Sequence, residues 1–353
     1  MAGLDLLADG DPVRAAVRGV LAGWEPARLA PVQESARGYQ ESVWKVFRRR
    51  LGPRMSEPEA VIVALEELGA ARCPLPVHAG LIQPLAATLA LGPAGRRLRE
   101  AVLESGDRYA LARHGPEGIA AQREDGRWRL SGHARHMTYG DSADMLLVPA
   151  RYSASGTLLA VVPARAPGVR RTTYPTMSGD RLTDIAFEDV ALDDEPVLAG
   201  VPEAVVAADV LGSMAICAEL VGMSARLLEM TADRVKSRQA FGAPLAALQG
   251  VQLRAAVKSR YMSAARGAVV EAASLLVSGA DDSGKVLAGI AGAKVAATES
   301  ALAISAGAHQ LCGGWGLLDE AGLHHYTRAI KAAENQLGSP RECRAVIARY
   351  LRS

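Results

Sequence analysis

The sequence is poor in aromatic residues, in cysteine and in net charge, and each scarcity narrows what the protein can be. Aromatic residues make up 4% of the 353 residues while hydrophobic residues make up 49%, a balance that favours closely packed helices. The formal net charge of +2 gives no argument for nucleic-acid binding. The four cysteines are Cys73, Cys217, Cys312 and Cys343. Because their spacing matches no metal site, we expect reduced, buried thiols and no metal centre.

Long apolar runs and an export signal are also missing. No run reaches about 18 apolar residues, so we expect no membrane span. The stretch Met1 to Gly10 is acidic and lacks the pattern of a signal peptide. Taken with the reduced thiols, these features lead us to expect a cytoplasmic protein.

Helical spacing dominates residues 1–108, which we predict to form an N-terminal helical domain. Apolar residues recur at helical intervals in the segments 13–22, 41–51, 57–71, 81–91 and 95–105. The third segment carries Glu66 and Glu67 side by side. We interpret these two carboxylates as a solvated face and not as catalytic groups.

Residues 109–200 have the character of strands. Short alternating apolar runs, separated by Gly, Asp and Pro, occur at 128–132, 145–149, 157–162 and 184–190. Their lengths and turn spacing predict a compact antiparallel β-barrel domain. Helical periodicity returns after Pro202, so residues 201–353 are predicted to form a C-terminal helical bundle, and the fold class is α+β.

A glycine-rich stretch interrupts the C-terminal helices. The sequence Gln-Leu-Cys-Gly-Gly-Trp-Gly at 310–316 follows an alanine-rich segment that is predicted as a helix over 286–308. Glycine takes left-handed backbone angles without steric cost, so we expect it to end that helix. Bare glycine N–H groups also hold phosphates in many proteins. Alone, however, two glycines between helices are more often a tight turn.

A second stretch gives the first one its meaning. Arg-Gln-Ala-Phe-Gly at 238–242 is followed by Gln249 and Gln252. With the glycine-rich stretch, this order and spacing over about 205–349 resembles the acyl-CoA dehydrogenase family, which carries Arg-x-x-Phe-Gly and later Gln-x-x-Gly-Gly-x-Gly. The Glu-Glu-Leu-Gly at 66–69 resembles that family as well. The resemblance implies helical, β and helical domains in that order, with a four-helix bundle last that also builds the oligomer.

In that family FAD lies between two subunits, and the bundle of one subunit serves the flavin of its neighbour. The resemblance implies that Arg238 pairs with the flavin pyrophosphate, since a guanidinium matches phosphate oxygens. Phe241 would pack against the cofactor. Gln310 and Gly314, with Gly313 beside it, would meet the adenosine end. For Arg238 the plain alternative is an arginine at the surface end of a helix.

The β-domain departs further from the family pattern. Where the family has Trp-Ile-Thr against the isoalloxazine ring, this chain has His136, Met137 and Thr138. The Thr is kept, and His136 either donates to the flavin or simply fills space. Upstream, residues 112–118 lack the family's Gly-Ser-Asp, whose backbone and hydroxyl hold the pyrophosphate.

The catalytic base is the largest departure. Family chemistry removes the α-proton of an acyl-CoA thioester with a carboxylate while the β-hydrogen leaves as hydride to the flavin. The Glu that most members place before Gly-Thr is Leu337 here. The other known position, on the first helix of the last domain, is Gly212. Neither can take a proton. Ser339 is expected at the adenine end of the cofactor.

Three carboxylates are candidates for a substitute base. Asp209 and Glu219 share a helix face with Gly212. Glu334 lies three residues before Leu337. For each of the three, an interhelical ion pair or a solvated face is the more common role.

The losses follow an order. Residues that the family donates to a neighbour's flavin survive, whereas those that serve the chain's own flavin are eroded. The leading hypothesis is therefore the base-lacking subunit of a heteromeric acyl-CoA dehydrogenase, a heterotetramer of the kind that includes enzymes acting on steroid side-chain thioesters. Its expected partners are a homologous subunit, an acyl-CoA thioester from lipid or steroid catabolism, and an electron-transfer flavoprotein.

Two alternatives stay open. One is a self-sufficient homo-oligomeric flavin dehydrogenase or oxidase with a relocated base. The other is a non-catalytic structural protein that uses this fold and binds no flavin.

Overall fold

The structure is a computed structural model that describes residues 11–112, 114–193, 195–278 and 282–352, without the side chains of 27 and 114–117. The chain divides into two compact units. The helical unit comprises the stretch up to Leu29, Glu57–Cys73 and Ser213–Ser353, and the sheet unit comprises Ala30–Ser56 and Pro74–Gly212. The predicted three-domain division, with boundaries after 108 and 200, stays a prediction.

Helices precede and follow the strands, in the order that the sequence predicts. The α-helices are α1 (Pro12–Val20), α2 (Leu29–Glu34), α3 (Glu41–Leu51), α4 (Pro58–Ala71), α5 (Gln83–Ala90), α6 (Arg96–Glu104), α7 (Val201–Ser237), α8 (Gln249–Val277), α9 (Ser283–Cys312), α10 (Leu323–Ala333) and α11 (Pro340–Tyr350). The β-strands are β1 (Tyr109–Leu111), β2 (His114–Glu124), β3 (Arg127–Thr138), β4 (Met145–Arg151), β5 (Thr157–Pro163), β6 (Val169–Pro175), β7 (Arg181–Ala191), β8 (Gln239–Ala240) and β9 (Ala243–Pro244).

Capping residues fix where several helices begin. Asp11 accepts hydrogen bonds from the backbone N–H groups of Val13 and Arg14, and a proline opens α1. Ser339 and Glu342 form a capping box ahead of α11. The local sequence therefore sets the start of these two helices.

Helices α4 and α7 touch through glycines in the helical unit. A Cβ on Gly69 would lie 2.3 Å from the carbonyl oxygen of Glu219, and a Cβ on Gly222 would lie 1.9 Å from that of Glu66. Side chains larger than hydrogen cannot occupy either position without moving a backbone. The glycine of the Glu-Glu-Leu-Gly sequence is thus required for helix packing.

In the same sequence Glu66 is buried and Glu67 is half-buried, and the prediction that they form a solvated face was wrong. Glu66 is 5% exposed and pairs with Arg14 and Arg266. Glu67 pairs with Arg14 and Arg18. Buried carboxylates persist where cations and hydrogen bonds compensate them, and here those cations come from α1 and α8.

The sheet unit is built around a mixed seven-stranded sheet. Its strand order is β1-β4-β2-β3-β7-β6, with β5 paired to β4. Strand β4 runs parallel to β1 and to β2, and the other pairs are antiparallel. Its core includes Leu130, Leu146 and Ile185. The four predicted strand segments lie within β3, β4, β5 and β7, whereas β2 and β6 were not predicted.

The thiols match their predicted state. All four cysteines are free and buried. Burial raises the pKa of Cys73 and of Cys217 to about 12, so both stay protonated at neutral pH.

Two segments, Val201–Ser237 and Ser283–Leu317, are long and apolar enough to cross a membrane by length and composition alone. In their most apolar windows, 67% and 56% of the residues are buried inside the protein. Because buried core helices meet the same criterion, the expectation of no membrane span stays a prediction.

Candidate cofactor site and base loop

A two-stranded hairpin follows α7 and presents an aromatic ring to solvent. Strands β8 and β9 pair across a tip in which Phe241 and Gly242 take left-handed backbone angles, with φ of 55° and 76°. Phe241 is 91% exposed. Arg238, at the base of the hairpin, is exposed and has no ion-pair partner among the residues that the structure describes. The hairpin therefore offers an unpaired cation and a free ring to a ligand.

The glycine loop (Gly313–Leu317) lies beside the last turns of α7. Helix α9 ends where Gly313 adopts φ 60°, as the sequence predicts. The Arg234 guanidinium lies over the Trp315 ring, 4.7 Å from its centroid. A Cβ on Gly313 or Gly314 would meet no atom within 4 Å, so open space lies in front of their backbone. Because Arg238 is one helical turn beyond Arg234, the hairpin and the glycine loop share one end of the helical unit.

Gln310 lines a groove between α8 and α9. The groove has a volume of about 290 Å³ and is bounded by Leu253, Arg254, Val257, Lys258, Gly307, Gln310 and Leu311. It reaches the last turn of α9, directly before the glycine loop. The predicted donor residues Arg238, Phe241, Gln310, Gly313 and Gly314 thus all belong to the helical unit.

The base loop (334–339) connects α10 to α11. Leu337 has φ 52°, a left-handed angle that non-glycine residues rarely take, and Gly338 follows with φ 116°. The hydroxyl of Ser213 donates to the carbonyl oxygen of Leu337 at 3.5 Å. Ser213 directly follows Gly212 in the sequence. Ser339, predicted at the adenine end of a cofactor, uses its hydroxyl to cap α11.

A buried lysine holds the start of the base loop. Lys294, in the middle of α9, is 1% exposed and its Nζ donates to the carbonyl oxygens of Ala333 at 2.7 Å and Glu334 at 3.5 Å. Burial lowers the pKa of its ammonium group. Carbonyl groups at the end of a helix lack intrahelical partners. Lys294 therefore closes α10 and fixes the point from which the base loop leaves it.

The three candidate carboxylates have different surroundings. Glu334 lies in the base loop and pairs at 2.5 Å with Lys331, three residues earlier in the chain. Asp209 and Glu219 are half-buried on α7, and the division of the chain puts Asp209 in the sheet unit and Glu219 in the helical unit. Their role as a base stays a prediction.

In the sheet unit, the predicted flavin-facing residues lie at the end of β3. Thr138 pairs with Leu182 of β7. His136 occupies a bulge with φ 57°, and its backbone N–H donates to Asp184 Oδ1 at 2.8 Å. Its side chain is exposed, and its role beside a flavin stays a prediction. Of the segment 112–118 that lacks Gly-Ser-Asp, Arg113 and the side chains of 114–117 lie outside the described residues.

Two neighbouring histidines follow the glycine loop, with their rings tilted by 44° to each other. The His324 and His325 rings have centroids 3.9 Å apart, and the Arg72 guanidinium donates to the His325 carbonyl oxygen at 3.4 Å. The pKa of each imidazole is lowered, first by burial and then by neighbouring cations that include Arg328. Both histidines are therefore held neutral beside the loop at pH 7.

Sequence reasoning missed Lys294, although a signal was present. Between Lys285 and Glu299 it is the one charged residue in an alanine-rich helix. A lone charge in an apolar helix indicates a buried partner. The contact of Arg234 with Trp315 was also missed. Its sequence signal was weaker, because it consisted only of a second arginine four residues before Arg238.

The chain was compared with protein-family models and with known proteins. The family model described as acyl-CoA dehydrogenase, C-terminal domain, matches residues 210–351. Acyl-CoA dehydrogenase FadE28 of Mycobacterium tuberculosis is 31% identical over 295 residues, which cover 79% of this chain and 82% of the relative.

Solved structures resemble the whole chain. The ChsE4-ChsE5 complex of Mycobacterium tuberculosis matches with a TM-score of 0.85 at 20% identity, over 97% of this chain and 96% of that chain. The Tcur3481-Tcur3483 steroid ACAD, in a G363A variant, matches with a TM-score of 0.80 at 24% identity, over 96% of each chain. At these identities the likeness shows the fold, and it confirms the predicted fold class.

Proposed function

The chain belongs to the acyl-CoA dehydrogenase family, and from this membership we propose that it is the base-lacking subunit of a heteromeric, FAD-dependent acyl-CoA dehydrogenase. In this proposal the helical unit completes the flavin site of a homologous partner subunit. The partner supplies the carboxylate that takes the α-proton.

One observation carries the proposal. The end of the helical unit that faces a neighbour's flavin in this family keeps an exposed ring in Phe241, open glycine backbone and, in Arg238, a cation with no ion-pair partner among the described residues. The base loop of the same unit holds a leucine at the position of the base. A chain that catalysed the reaction by itself would need an ionisable base as well as the cofactor-binding end.

The residues of the β8–β9 hairpin and the glycine loop, which we call the outer end of the helical unit, fit a dinucleotide. A guanidinium without a protein partner suits a pyrophosphate. Backbone N–H groups of Gly313 and Gly314 stand in front of open space, which lets a ligand approach closely. When bound, FAD supplies the oxidising group that accepts a hydride. This chain's residues bind and orient the nucleotide part of that cofactor, and Phe241 shields one side of it from water.

The relatives support the proposal of a heteromer and suggest a class of acyl-CoA substrate. The ChsE4-ChsE5 structure is a complex of two named chains, and the Tcur3481-Tcur3483 enzyme is described as a steroid ACAD. We extend both features to this chain: a second, non-identical subunit and a CoA thioester from steroid or lipid catabolism. An electron-transfer flavoprotein is the proposed acceptor of the electrons.

The test is to purify the chain alone and after coexpression with a homologous acyl-CoA dehydrogenase that carries the base. Flavin absorbance and turnover of a panel of acyl-CoA thioesters are measured in both preparations. We expect a colourless, inactive chain alone, and a yellow, active complex when the partner is present. A yellow chain that turns over a thioester alone would favour the homo-oligomer with a relocated base. Colourless protein in both preparations would favour a structural role.

A further inference from the structure

The first half of α8 is left uncovered in the helical unit. Twelve of the sixteen residues from Gln249 to Ala264 are exposed, against one of the sixteen from Ile290 to Ser305 in the neighbouring α9. The exposed set includes large apolar side chains, Leu253 at 66%, Tyr261 at 44% and Val257 at 38%. Contiguous apolar surface of this kind marks an interaction site.

The uncovered face has an apolar floor and a cationic rim. Leu253 and Val257 line the groove of about 290 Å³ that α8 forms with α9. Lys258 crosses the backbone of Gly307, where a Cβ would lie 2.5 Å from the lysine Cε, and its Nζ lies 5.3 Å from the centroid of the Tyr261 ring. The lysine stem thus covers apolar surface while its charge stays at the rim.

The charge of this face has one sign. Between Gln249 and Gly267 the sequence has four cations and no aspartate or glutamate. Arg266 is neutralised by Glu66. The other three, Arg254, Lys258 and Arg260, have no ion-pair partner in the described part of the chain. We call Leu253, Arg254, Val257, Lys258, Arg260 and Tyr261 the α8 strip.

We propose that the α8 strip docks an acidic helix face of a non-identical homologous subunit, and that its charge opposes pairing with a second copy of this chain. The inference rests on the proposed function and names the chemistry of the partner's surface. In a two-fold interface centred on the strip, each copy would bring its own cations against those of the other. Like charges set opposite each other at an interface suppress the wrong partner, whereas carboxylates there would pair with all three cations.

A charge-reversed copy of this chain serves as the probe. The variant R254E/K258E/R260E presents an acidic strip on an otherwise identical protein. Association is measured by analytical ultracentrifugation for the natural chain alone and for its equimolar mixture with the variant, both free of flavin. At about 50 mM salt we expect the mixed pair to bind about tenfold or more tightly than the natural chain binds itself, with the gap closing at about 0.5 M salt.

Two further variants control the result. R49E/R96E/R97E reverses three exposed arginines on α3 and α6 and should mix with the natural chain no more tightly than the natural chain self-associates. R254Q/K258Q/R260Q, mixed with the natural chain, should give an affinity between those of natural self-association and of the charge-reversed mixture. The glutamines remove the repulsion between the strips without adding attraction. Self-association of the natural chain as tight as the mixed pair, or equal tightening by the α3 and α6 control, would overturn the proposal.

The readout separates this proposal from the proposed function. A tight mixed pair from chains that never support flavin binding would uphold the docking surface and contradict the cofactor role. A yellow, active complex whose affinity is unchanged by R254E/K258E/R260E would do the reverse.

Discussion

The outer end of α7 and the base loop belong to the same helical unit, yet their functional groups differ in whether they have partners within the protein. At the outer end, Arg238 and Phe241 face solvent and the glycine loop opens onto empty space. At the base loop, Lys294 closes α10 and Ser213 meets the carbonyl oxygen of Leu337. One region leaves its interactions for a ligand, and the other satisfies its polar groups internally.

This difference bears on the division of roles that we propose within the helical unit. Arg238 and Phe241 are exposed in the isolated subunit and remain available to a ligand or a partner. A loop that is hydrogen-bonded by its own unit needs no ligand to be ordered. The contrast supports the proposal that cofactor binding resides at one end of the unit and that the base loop has a structural role.

The largest effect that would sharpen the contrast is the loss of Arg238. In the coexpressed complex, Arg238→Ala should weaken FAD binding about 10- to 100-fold, because hydrogen bonds to a charged group contribute about 1.5–3 kcal/mol. Flavin retained through dialysis is the measurement. Lys236→Ala removes an exposed cation two residues earlier and should retain flavin. Equal loss from both variants would mean that only general positive charge matters.

The next effect concerns the closed region. Lys294→Met should lower the free energy of unfolding by about 2 kcal/mol. The Ala333 and Glu334 carbonyl groups lose their donor, and this loss outweighs the gain from removing a buried charge. Chemical denaturation of the chain measures it. Lys285→Met, on the exposed start of the same helix, should change stability by less than about 0.5 kcal/mol.

A pH series tests whether burial of the Lys294 ammonium is the cause. Its pKa in the folded protein is below the ordinary 10.5, so the unfolded chain binds more protons as pH approaches that value. The natural chain should therefore gain stability as pH rises toward 10.5, and Lys294→Met should lack this gain. Parallel pH curves for the two proteins would contradict the assignment.

A smaller effect of the opposite sign is expected at Leu337. Leu337→Gly should raise the free energy of unfolding by about 1 kcal/mol, because glycine takes φ 52° without the steric cost that leucine bears there. Leu253→Gly, inside α8, should lower it by about 1 kcal/mol. Destabilisation by Leu337→Gly would mean that the leucine side chain contributes more by packing than its backbone costs.

The smallest effect is the acid response beside the glycine loop. The folded pKa values of His324 and His325 lie below the ordinary 6.5, so their stabilisation is present above that value and is lost as pH falls below it. The melting temperature of the natural chain should decline between about pH 7 and pH 5. His324→Gln/His325→Gln should decline less. His133→Gln, on an exposed position of β3, should follow the natural chain.

Much of the fold could be predicted where the signals are local. Helix α3 begins and ends at the predicted residues because its apolar face is regular, and α9 ends at Gly313 because glycine takes the required angle. Strand β6 was missed since its residues are mostly polar and exposed, and no apolar alternation identifies it.

For the candidate site, the sequence could predict which residues to consider but not their tertiary contacts. The sequence identified Arg238, Phe241 and the absence of an ionisable group at Leu337. It could not show that Glu66 is buried, because the arginines that neutralise it lie on α1 and α8. It also could not show that Lys294 closes α10, since its acceptor, the Ala333 carbonyl, lies 39 residues along the chain. Both depend on tertiary neighbours and not on spacing.

The number of flavins in the purified heteromer tests the central claim most directly. If this chain completes its partner's site and does not form its own, the complex should hold half as many FAD molecules as chains, and the chain alone should hold none. Quantitative absorbance of released FAD, set against the protein concentration from amino-acid analysis, gives the ratio. As many flavins as chains would contradict the account, because this chain would then bind a flavin of its own.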